Sequence, residues 1–377
     1  MKRKTRHFDF ILFALLLLSS LLMQRCGGSE GRFNTTDTTW AFLPFQKLDE
    51  ANPILTPGDF AFDCPVRQER VYWERKDVFN PTAAVIGQAV YMLYRAEDTV
   101  GRYNGTSRLG LAISADGINF SKVENPILTP AEDFMKEYEW EGGIEDPRVV
   151  QTESGTYVLT YTAYDGHIAR LCIATSSDFL NWNKEGLAFG EKYRDLWSKS
   201  GAIVAELVDN KMVAKKINGK YWMYFGDTDL FIATSANLIQ WTPLLDEESG
   251  ELMKVMSPRK GYFDSRLVES GPAAMVTSQG IVLIYNGMNL DEGGDPNLPG
   301  GTYSAGQALF DGTDPTKLIN RLEHYFITPD KDYEITGQVN KVCFVEGLVY
   351  FNGRWLLYYG TADSKIAAAV YNPNPVQ

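Results

Sequence analysis

One structural unit occurs five times along this chain, and the repeat constrains the fold more than any other feature of the sequence. Each copy has an apolar run, a short turn, a second run that ends in aromatic residues, and a third run rich in Ala and Ser. Two copies read VIGQAVYMLYRAED with RLGLAISADGINF, and VQTESGTYVLTYTAYD with IARLCIATSSDFLNW. Because every copy has strand-like alternation and none has a long amphipathic helix, the repeat predicts an array of small antiparallel sheets.

Turn signals divide each copy into strands. Asn-Gly occurs at residues 218–219 and 352–353, and Ser-Gly occurs at residues 154–155. Such pairs between alternating runs are typical of β-hairpins. Five copies of about four strands each predict an all-β fold, a five-bladed β-propeller over residues 45–377. A β-sandwich with accidental internal similarity is the alternative fold.

The N-terminus has the layout of an export signal. A basic start is followed by an apolar run from Phe10 to Met23, which is short for a membrane span. Residues 1–26 therefore form a predicted signal peptide, and residues 27–44 a flexible tether. Cys26 directly after the apolar run resembles a lipoprotein signal, although Arg25 stands where such signals carry a small residue. We expect export to the periplasm or outer-membrane surface with lipid on Cys26; a plain secretory signal or an uncleaved anchor are the alternatives.

Composition excludes several classes of function. The net charge of −12 argues against nucleic-acid binding, which needs a basic surface. Three histidines and four cysteines without metal-binding spacing predict no metal and no cofactor. Aromatic residues make up 13% of the chain, and aromatic rings with carboxylates suit polyhydroxylated ligands such as oligosaccharides. Carboxylates are thus the expected catalytic groups, and the sequence does not define an oligomeric state.

Polar residues recur at equivalent points of the five copies. The ends of the second runs carry Asp98, Asp165, Asp227, Asn289 and Asp363, and the residues that open each copy are Asn80, Asp146, Lys211, Glu269 and Glu346. In a propeller these positions converge on one central funnel. Asp and Asn also favour turns, which is the alternative role of Asp98 and Asp165.

Five segments together resemble glycoside hydrolase family 130, which comprises β-mannoside phosphorylases and β-1,2-mannosidases on five-bladed propellers. They are NPTAAVIGQAVYMLYR (80–95), GGIEDPRVV (142–150), INGKYWMYFGD (217–227), ESGPAAM (269–275) and LYYGTADSKIAAA (357–369). The resemblance implies an inverting reaction in which Asp146 is the general acid and its proton reaches the glycosidic oxygen through the mannose 3-hydroxyl. It also implies that Asn80, Arg95 and Asp363 bind the mannose, with Glu145 and Arg148 fixing Asp146.

An inverting enzyme also needs a base for water on the opposite side of the sugar. Glu269 is the first candidate and Asp227 the second, because both lie in copies of the repeat other than that of Asp146. Exo action is expected, since a funnel closed at its base makes a pocket. The remaining candidates for substrate binding are Arg148, Lys211 and Asn286.

The attacking group distinguishes the two branches of the family. The resemblance implies that phosphorylases place His-Arg and His where this chain has Phe225-Gly226 followed by Asp227, and Asn286. Phosphate needs fixed cations, whereas an acidic residue repels it. We therefore predict a hydrolase acting on β-1,2-mannosides, with a phosphorylase as the alternative because Lys199, Lys211 and Arg266 could bind an anion. A non-catalytic surface protein that binds glycans is the alternative from another class.

Overall fold

The structure is a computed structural model that describes residues 37–373 except residue 104. The prediction of an all-β protein is confirmed. Helical structure in this part of the chain amounts to α1 (Lys136–Glu139), α2 (Asp332–Ile335) and one 3-10 turn (Glu191–Tyr193). No helix among the described residues has the length and apolar character needed to span a membrane. The predicted signal peptide and Cys26 lie outside the described residues.

The strands follow one another in antiparallel order and fall into five sets, which we call meanders 1 to 5. Three short strands come first: β1 (Gln46–Lys47), β2 (Phe62–Cys64) and β3 (Glu69–Val71). Meander 1 contains β4 (Asp77–Ile86), β5 (Ala89–Glu97), β6 (Ser107–Ser114) and β7 (Ser121–Lys122). Meander 2 contains β8 (Gly143–Gln151), β9 (Tyr157–Tyr164), β10 (Ala169–Ser176) and β11 (Asn183–Leu187).

The remaining meanders carry variations on this plan. Meander 3 contains β12 (Ala202–Val208), β13 (Lys211–Ala214), β14 (Tyr221–Phe225), β15 (Leu230–Ser235), β16 (Trp241–Pro243) and β17 (Lys254–Met256). Meander 4 contains β18 (Leu267–Ser270), β19 (Ala274–Thr277), β20 (Gly280–Met288), β21 (Tyr303–Phe310) and β22 (Leu318–Arg321). Meander 5 contains β23 (Cys343–Phe351), β24 (Arg354–Thr361) and β25 (Lys365–Tyr371), and β1 adds the fourth strand by pairing with β25.

A separate hydrophobic core lies between each pair of consecutive meanders, and one more lies between meanders 5 and 1. Strand β5 illustrates the cause. Met92 and Tyr94 pack toward meander 5, whereas Leu93 between them packs toward meander 2. Because side chains alternate along a strand, a sheet with apolar residues on both faces must be covered on both sides. The first strands β4, β8, β12 and β23 also contact one another, so they surround the centre of the molecule.

The repeat extends to buried side chains. In four meanders a tyrosine of an inner strand (β5, β9, β20 or β24) donates a hydrogen bond to a buried carboxylate, which is also ion-paired with a lysine or arginine. The tyrosine–carboxylate–cation sets are Tyr94–Glu74–Lys122, Tyr161–Glu139–Lys184, Tyr285–Asp264–Arg321 and Tyr359–Glu334–Lys47. The corresponding Tyr224 of meander 3 donates to the carbonyl of Pro315. Each of these four buried carboxylates therefore has partners, as a low-dielectric interior requires.

The predicted tether includes residues that are packed. Trp40 is only 5% exposed and lies against Val282, Leu309 and Leu322 of meander 4. The backbone of Phe42 accepts from and donates to the side-chain amide of Gln307, at 2.8 and 2.9 Å. Ordered packing thus begins before residue 45.

Candidate active site

Three residues near the starts of first strands interrupt the regular pairing. The register shifts between Phe79 and Pro81, between Glu145 and Arg148, and between Val345 and Gly347. Asn80, Asp146 and Glu346 lie at these bulges. A bulge places an extra residue in one strand and redirects its side chain, which is why bulges occur beside active sites.

Backbone strain also occurs at this place. The φ angles of Asn80 and Asp146 are 46° and 48°, and those of Ser200 and Asp363 are 58° and 49°. A residue other than glycine costs roughly 1–3 kcal/mol in this left-handed region, so its surroundings must hold it there. We infer that these four positions are shaped for the site rather than for the sheet.

Asp146 is the centre of a hydrogen-bond network. Its carboxylate oxygen Oδ1 accepts from Asn80 Nδ2 at 2.9 Å and from Arg95 at 3.1 Å, and its Oδ2 lies 3.4 Å from Lys199 Nζ. Burial alone would raise the pKa of Asp146, but the charges of Lys199 and Arg95 and the Asn80 hydrogen bond hold that pKa well below its usual range. The carboxyl group of Asp146 is therefore ionised in the ligand-free site.

Lys199 joins Asp146 to Glu269 of meander 4. Its Nζ lies 3.7 Å from Glu269 Oε1, an oxygen that also accepts a hydrogen bond from Ser200 Oγ. Because both carboxylate oxygens contact one nitrogen, they lie no more than about 7 Å apart. The two carboxyl groups of inverting glycosidases are roughly 6.5–9.5 Å apart, so the separation in the ligand-free site is at or below the short end of that range. Burial raises the pKa of Glu269, although Lys199 opposes the effect.

Arg95 organises the neighbouring carboxylates. It donates to Glu97 at 2.8 Å, to Glu145 at 2.9 Å and to Asp146. Burial raises the pKa of Glu145 to about 7 against the opposing charge of Arg95, and burial raises the pKa of Asp363 to about 7. Within the described residues the carboxyl group of Asp363 has no hydrogen-bond partner, so both of its oxygens are available to a ligand.

Arg148 does not offer its guanidinium to a substrate. Its Nε and Nη2 donate to the carbonyls of Gly271 and Ser270 in meander 4, at 2.8 and 2.7 Å, and its Nη1 donates to the carbonyl of Asp146 at 3.1 Å. The side chain is 2% exposed and lies 3.5 Å from Glu346 of meander 5. The prediction of substrate binding by Arg148 is therefore corrected: Arg148 links three meanders and positions Asp146.

Lys211 and Asn286, which were predicted to bind substrate, lie elsewhere in the structure. Lys211 is exposed and follows Asp209 and Asn210, the turn of a hairpin, next to the Gln151 end of β8 and away from Asp146. Asn286 is fully buried, and its amide exchanges two hydrogen bonds with the backbone of Val345, at 2.7 and 3.0 Å. Neither side chain contacts the Asp146 network.

Asp227 lies at the edge of the site. It is half-buried and accepts a hydrogen bond from the indole nitrogen of Trp197 at 2.9 Å. Its charge contributes to raising the pKa of Glu269, so the two candidate bases are neighbours. Asp98 and Asp165 instead form ion pairs with Arg108 and Arg170 of their own meanders, at 2.6 and 2.7 Å, and close turns.

Lys199 and Ser200 are the site residues that the repeat did not identify. The segment SKSGA (198–202) leads into β12, as NPTA (80–83) leads into the second half of β4. Ser200 has a positive φ, as Asn80 does. Ser200, rather than Lys211, is therefore the opening residue of its copy. The pattern of a small polar residue before Gly or Pro was present in the sequence.

An all-β scaffold that brings buried carboxylates from separate meanders to one polar centre supplies the groups that acid–base cleavage of a glycosidic bond requires. Among the described residues no cluster of three or more His, Cys, Asp or Glu side chains could hold a metal ion. A sequence profile of glycoside hydrolase family 130, described as β-1,4-mannooligosaccharide phosphorylase, matches residues 45–375. The chain belongs to this family, whose enzymes act on mannosides.

Three relatives illustrate the range of the family. A 1,2-β-oligomannan phosphorylase from Thermoanaerobacter sp. is 30% identical over 79% of this chain and 90% of its own length. A glycosyl hydrolase structure from Bacteroides ovatus is 45% identical, with a TM-score of 0.87 over 91% of this chain and 97% of that chain. The description of a third structure says that the GH130 family of mannoside phosphorylases contains glycoside hydrolases that target β-1,2 mannosidic linkages in Candida mannan. It is 46% identical, with a TM-score of 0.87 over 90% of this chain and 97% of that chain.

Proposed function

We propose that this protein is an inverting, exo-acting β-1,2-mannosidase and that its five meanders are the blades of a five-bladed β-propeller. The five cores between consecutive meanders, including the one between meanders 5 and 1, support the ring of blades. Arg148 joins the backbone carbonyl of Asp146 in meander 2 to the carbonyls of Ser270 and Gly271 in meander 4, which supports a closed centre and hence a pocket for a chain end.

In the proposed reaction the mannose lies between Asp146 and Glu269. Asp146 gives a proton to the 3-hydroxyl while that hydroxyl passes its own proton to the glycosidic oxygen, and the bond from this oxygen to C1 breaks. Water attacks C1 from the other side and gives its proton to Glu269. Asn80, Arg95 and Asp363 hold the mannose.

Asp146 must acquire a proton before it can act as an acid. The neighbouring Glu145, with a pKa of about 7, shares Arg95 with it, so protons can be exchanged within this pair. A bound sugar that separates Lys199 from Asp146 removes the largest charge effect that lowers the Asp146 pKa. The acid is thus formed in the complex with substrate rather than in the free enzyme.

One observation favours hydrolysis over phosphorolysis: each cationic side chain near Asp146 and Glu269 is already paired with carboxylates. Arg95 and Lys199 each contact two or more carboxylates, and Arg148 lies against Glu346. A phosphate dianion would have to displace these carboxylates. Two solved structures above 40% identity also support hydrolysis: one is described as a glycosyl hydrolase, and the description of the other refers to glycoside hydrolases that target β-1,2 mannosidic linkages. Two observations support the alternative, a phosphorylase. Arg266 has no ion pair among the described residues, and the relative at 30% identity is a phosphorylase.

Product analysis tests this function. We expect free mannose from β-1,2-mannobiose at equal rates with and without phosphate, released first as the α-anomer because the reaction inverts configuration. The anomer is read by NMR within the first turnovers. β-1,4-Mannobiose is the control for the linkage and should be cleaved more slowly. Mannose 1-phosphate, formed only when phosphate is present, would instead make the protein a phosphorylase.

We further propose that the enzyme is exported and anchored by lipid on Cys26, in the periplasm or at the outer-membrane surface. The supporting feature is the cysteine directly after a short apolar run. The full chain should partition into the detergent phase, and Cys26→Ala should move it to the aqueous phase, with Ser29→Ala as the control. If Cys26→Ala stays in the detergent phase, another segment anchors the protein.

A further inference from the structure

Three aromatic side chains form a continuous row beside the site, and we call Tyr103, Tyr164 and Trp197 the aromatic row. The ring centroids of Tyr103 and Tyr164 are 6.4 Å apart, and those of Tyr164 and Trp197 are 6.5 Å apart. Trp197 is 49% exposed, and the two tyrosines are half-buried. A large aromatic side chain that stays exposed while its neighbours are also aromatic indicates a binding surface rather than a core.

The backbone is shaped to accommodate this row. A side chain at Gly142 would collide with the ring of Tyr164. A side chain at Gly166 would overlap the ring of Tyr103, and Gly166 has a φ of 94° that favours glycine. The absence of side chains at these two glycines thus leaves the space that the two tyrosine rings occupy.

The row starts next to the catalytic centre. Tyr164 pairs in register with Gly143, which lies three residues before Asp146. The negative charge of Glu145 contributes to raising the pKa of the Tyr164 hydroxyl. Trp197 is two residues before Lys199, and its indole nitrogen donates to Asp227 at 2.9 Å. Because this hydrogen bond fixes the polar edge of the indole, the ring face is held in one orientation.

We propose that the aromatic row binds the part of the β-mannan chain beyond the scissile bond, on the leaving-group side. Sugar rings present apolar C–H faces that stack on aromatic rings, while Asp227 and Glu145 at its inner end can accept hydrogen bonds from hydroxyl groups. This proposal rests on the proposed β-1,2-mannosidase activity. It adds that longer chains are the preferred substrates, because mannobiose covers less of the row than mannotriose or mannotetraose.

The first test compares the kcat/KM values for β-1,2-mannotriose and β-1,2-mannobiose as a ratio. Tyr103→Ala and Trp197→Ala should each lower this ratio by about three- to tenfold, since one aromatic contact contributes about 0.5–1.5 kcal/mol. Phe134→Ala is the matched control: Phe134 is 64% exposed but lies against the outer strand β11, so its removal should leave the ratio unchanged. Equal ratios in parent, row variants and control would overturn the proposal while leaving the mannosidase activity established.

A second test separates stacking from the positioning of Asp227. Trp197→Phe keeps a ring face but loses the hydrogen bond to Asp227, so it should retain most of the mannotriose preference. A ratio as low as that of Trp197→Ala would assign Trp197 to positioning and contradict stacking.

Binding can also be read without catalysis. In the Asp146→Asn background, mannotriose should change the tryptophan fluorescence, and Trp197→Phe should remove that change. If the parent protein cleaves no mannoside but mannotriose still causes the Trp197-dependent change in fluorescence, the proposed activity is wrong and the proposal that the aromatic row binds sugar is retained. Tryptophan fluorescence that does not change when mannotriose is added would contradict the proposal that the aromatic row binds the mannan chain.

Discussion

Asp146→Asn is expected to lower kcat on β-1,2-mannobiose by about 10²–10⁴-fold, the usual contribution of a general acid or base. The amide has almost the same volume, and its oxygen can still accept from Asn80 and Arg95, so the buried position should remain filled. What it lacks is a proton to give to the 3-hydroxyl. Steady-state kinetics should show this loss, with thermal unfolding monitored to verify the fold.

Asp116→Asn is the control for this substitution. Asp116 is an exposed carboxylate that caps the turn between β6 and β7 by accepting from the backbone of Ile118 and Asn119. Its replacement should affect stability and leave kcat unchanged. A kcat of Asp146→Asn close to that of the parent on a mannoside with a poor leaving group would remove Asp146 from the role of acid.

The low pKa of Asp146 does not conflict with this prediction. In the ligand-free site Lys199 and Arg95 outweigh the effect of burial on the pKa. The pH dependence of kcat, however, reports groups in the complex with substrate, whereas that of kcat/KM reports the free enzyme. A substrate hydroxyl next to Asp146 replaces a cation with a neutral donor, which raises the pKa of the carboxyl group. The two profiles should therefore differ.

The sequence was sufficient where local chemistry determines the structure. Asn352 and Gly353 both have positive φ, 51° and 78°, as the hairpin turn signal predicted. The run with Met92, Leu93 and Tyr94 was predicted to be a strand of the repeat, and it forms β5, which has a hydrophobic core on either side. The site residues Asn80, Arg95 and Asp146 each belong to a recognisable motif, and they meet because Arg95 near the end of β5 lies beside the starts of β4 and β8.

The sequence was insufficient where contacts between distant segments decide the role of a residue. Lys211 has the spacing of an opening residue, but Asp209 and Asn210 form a tight turn with φ values of 48° and 66°. This turn adds a hairpin, β12–β13, to the regular plan, and it moves Lys211 to the opposite end of the strand. Asp-Asn before Lys211 was the available signal.

Arg148 and Asn286 were assigned to substrate from the EDPR and YNG motifs, and Arg148 was also expected to fix Asp146, as its hydrogen bond to the Asp146 carbonyl does. The other hydrogen-bond partners of Arg148 and those of Asn286 are backbone carbonyls and amides more than 50 residues away along the chain. No local pattern encodes such a contact, since it depends on how the meanders pack around the centre. The same holds for Lys199, whose position between two carboxylates follows from three separate segments.

Glu269→Gln is expected to reduce kcat by about 10²–10⁴-fold, as loss of a general base does, and added azide should restore part of the activity. Azide is a small anion that can attack C1 without deprotonation, so a mannosyl azide product would identify the missing group as the base. Asp227→Asn should have a smaller effect, below about tenfold, because Asp227 is half-buried and bound to Trp197 at the edge of the site.

The environment of Glu269 is the reason for this order. A base works best with a pKa near the working pH, and burial raises the pKa of Glu269 while Lys199 at 3.7 Å keeps its ionised form accessible. Ser200 donates to one of its oxygens, which leaves the other to accept a proton from water. Asp227 supplies a neighbouring charge. If azide rescues Asp227→Asn and not Glu269→Gln, the roles are reversed, and Glu269 serves to hold Lys199 against Asp146.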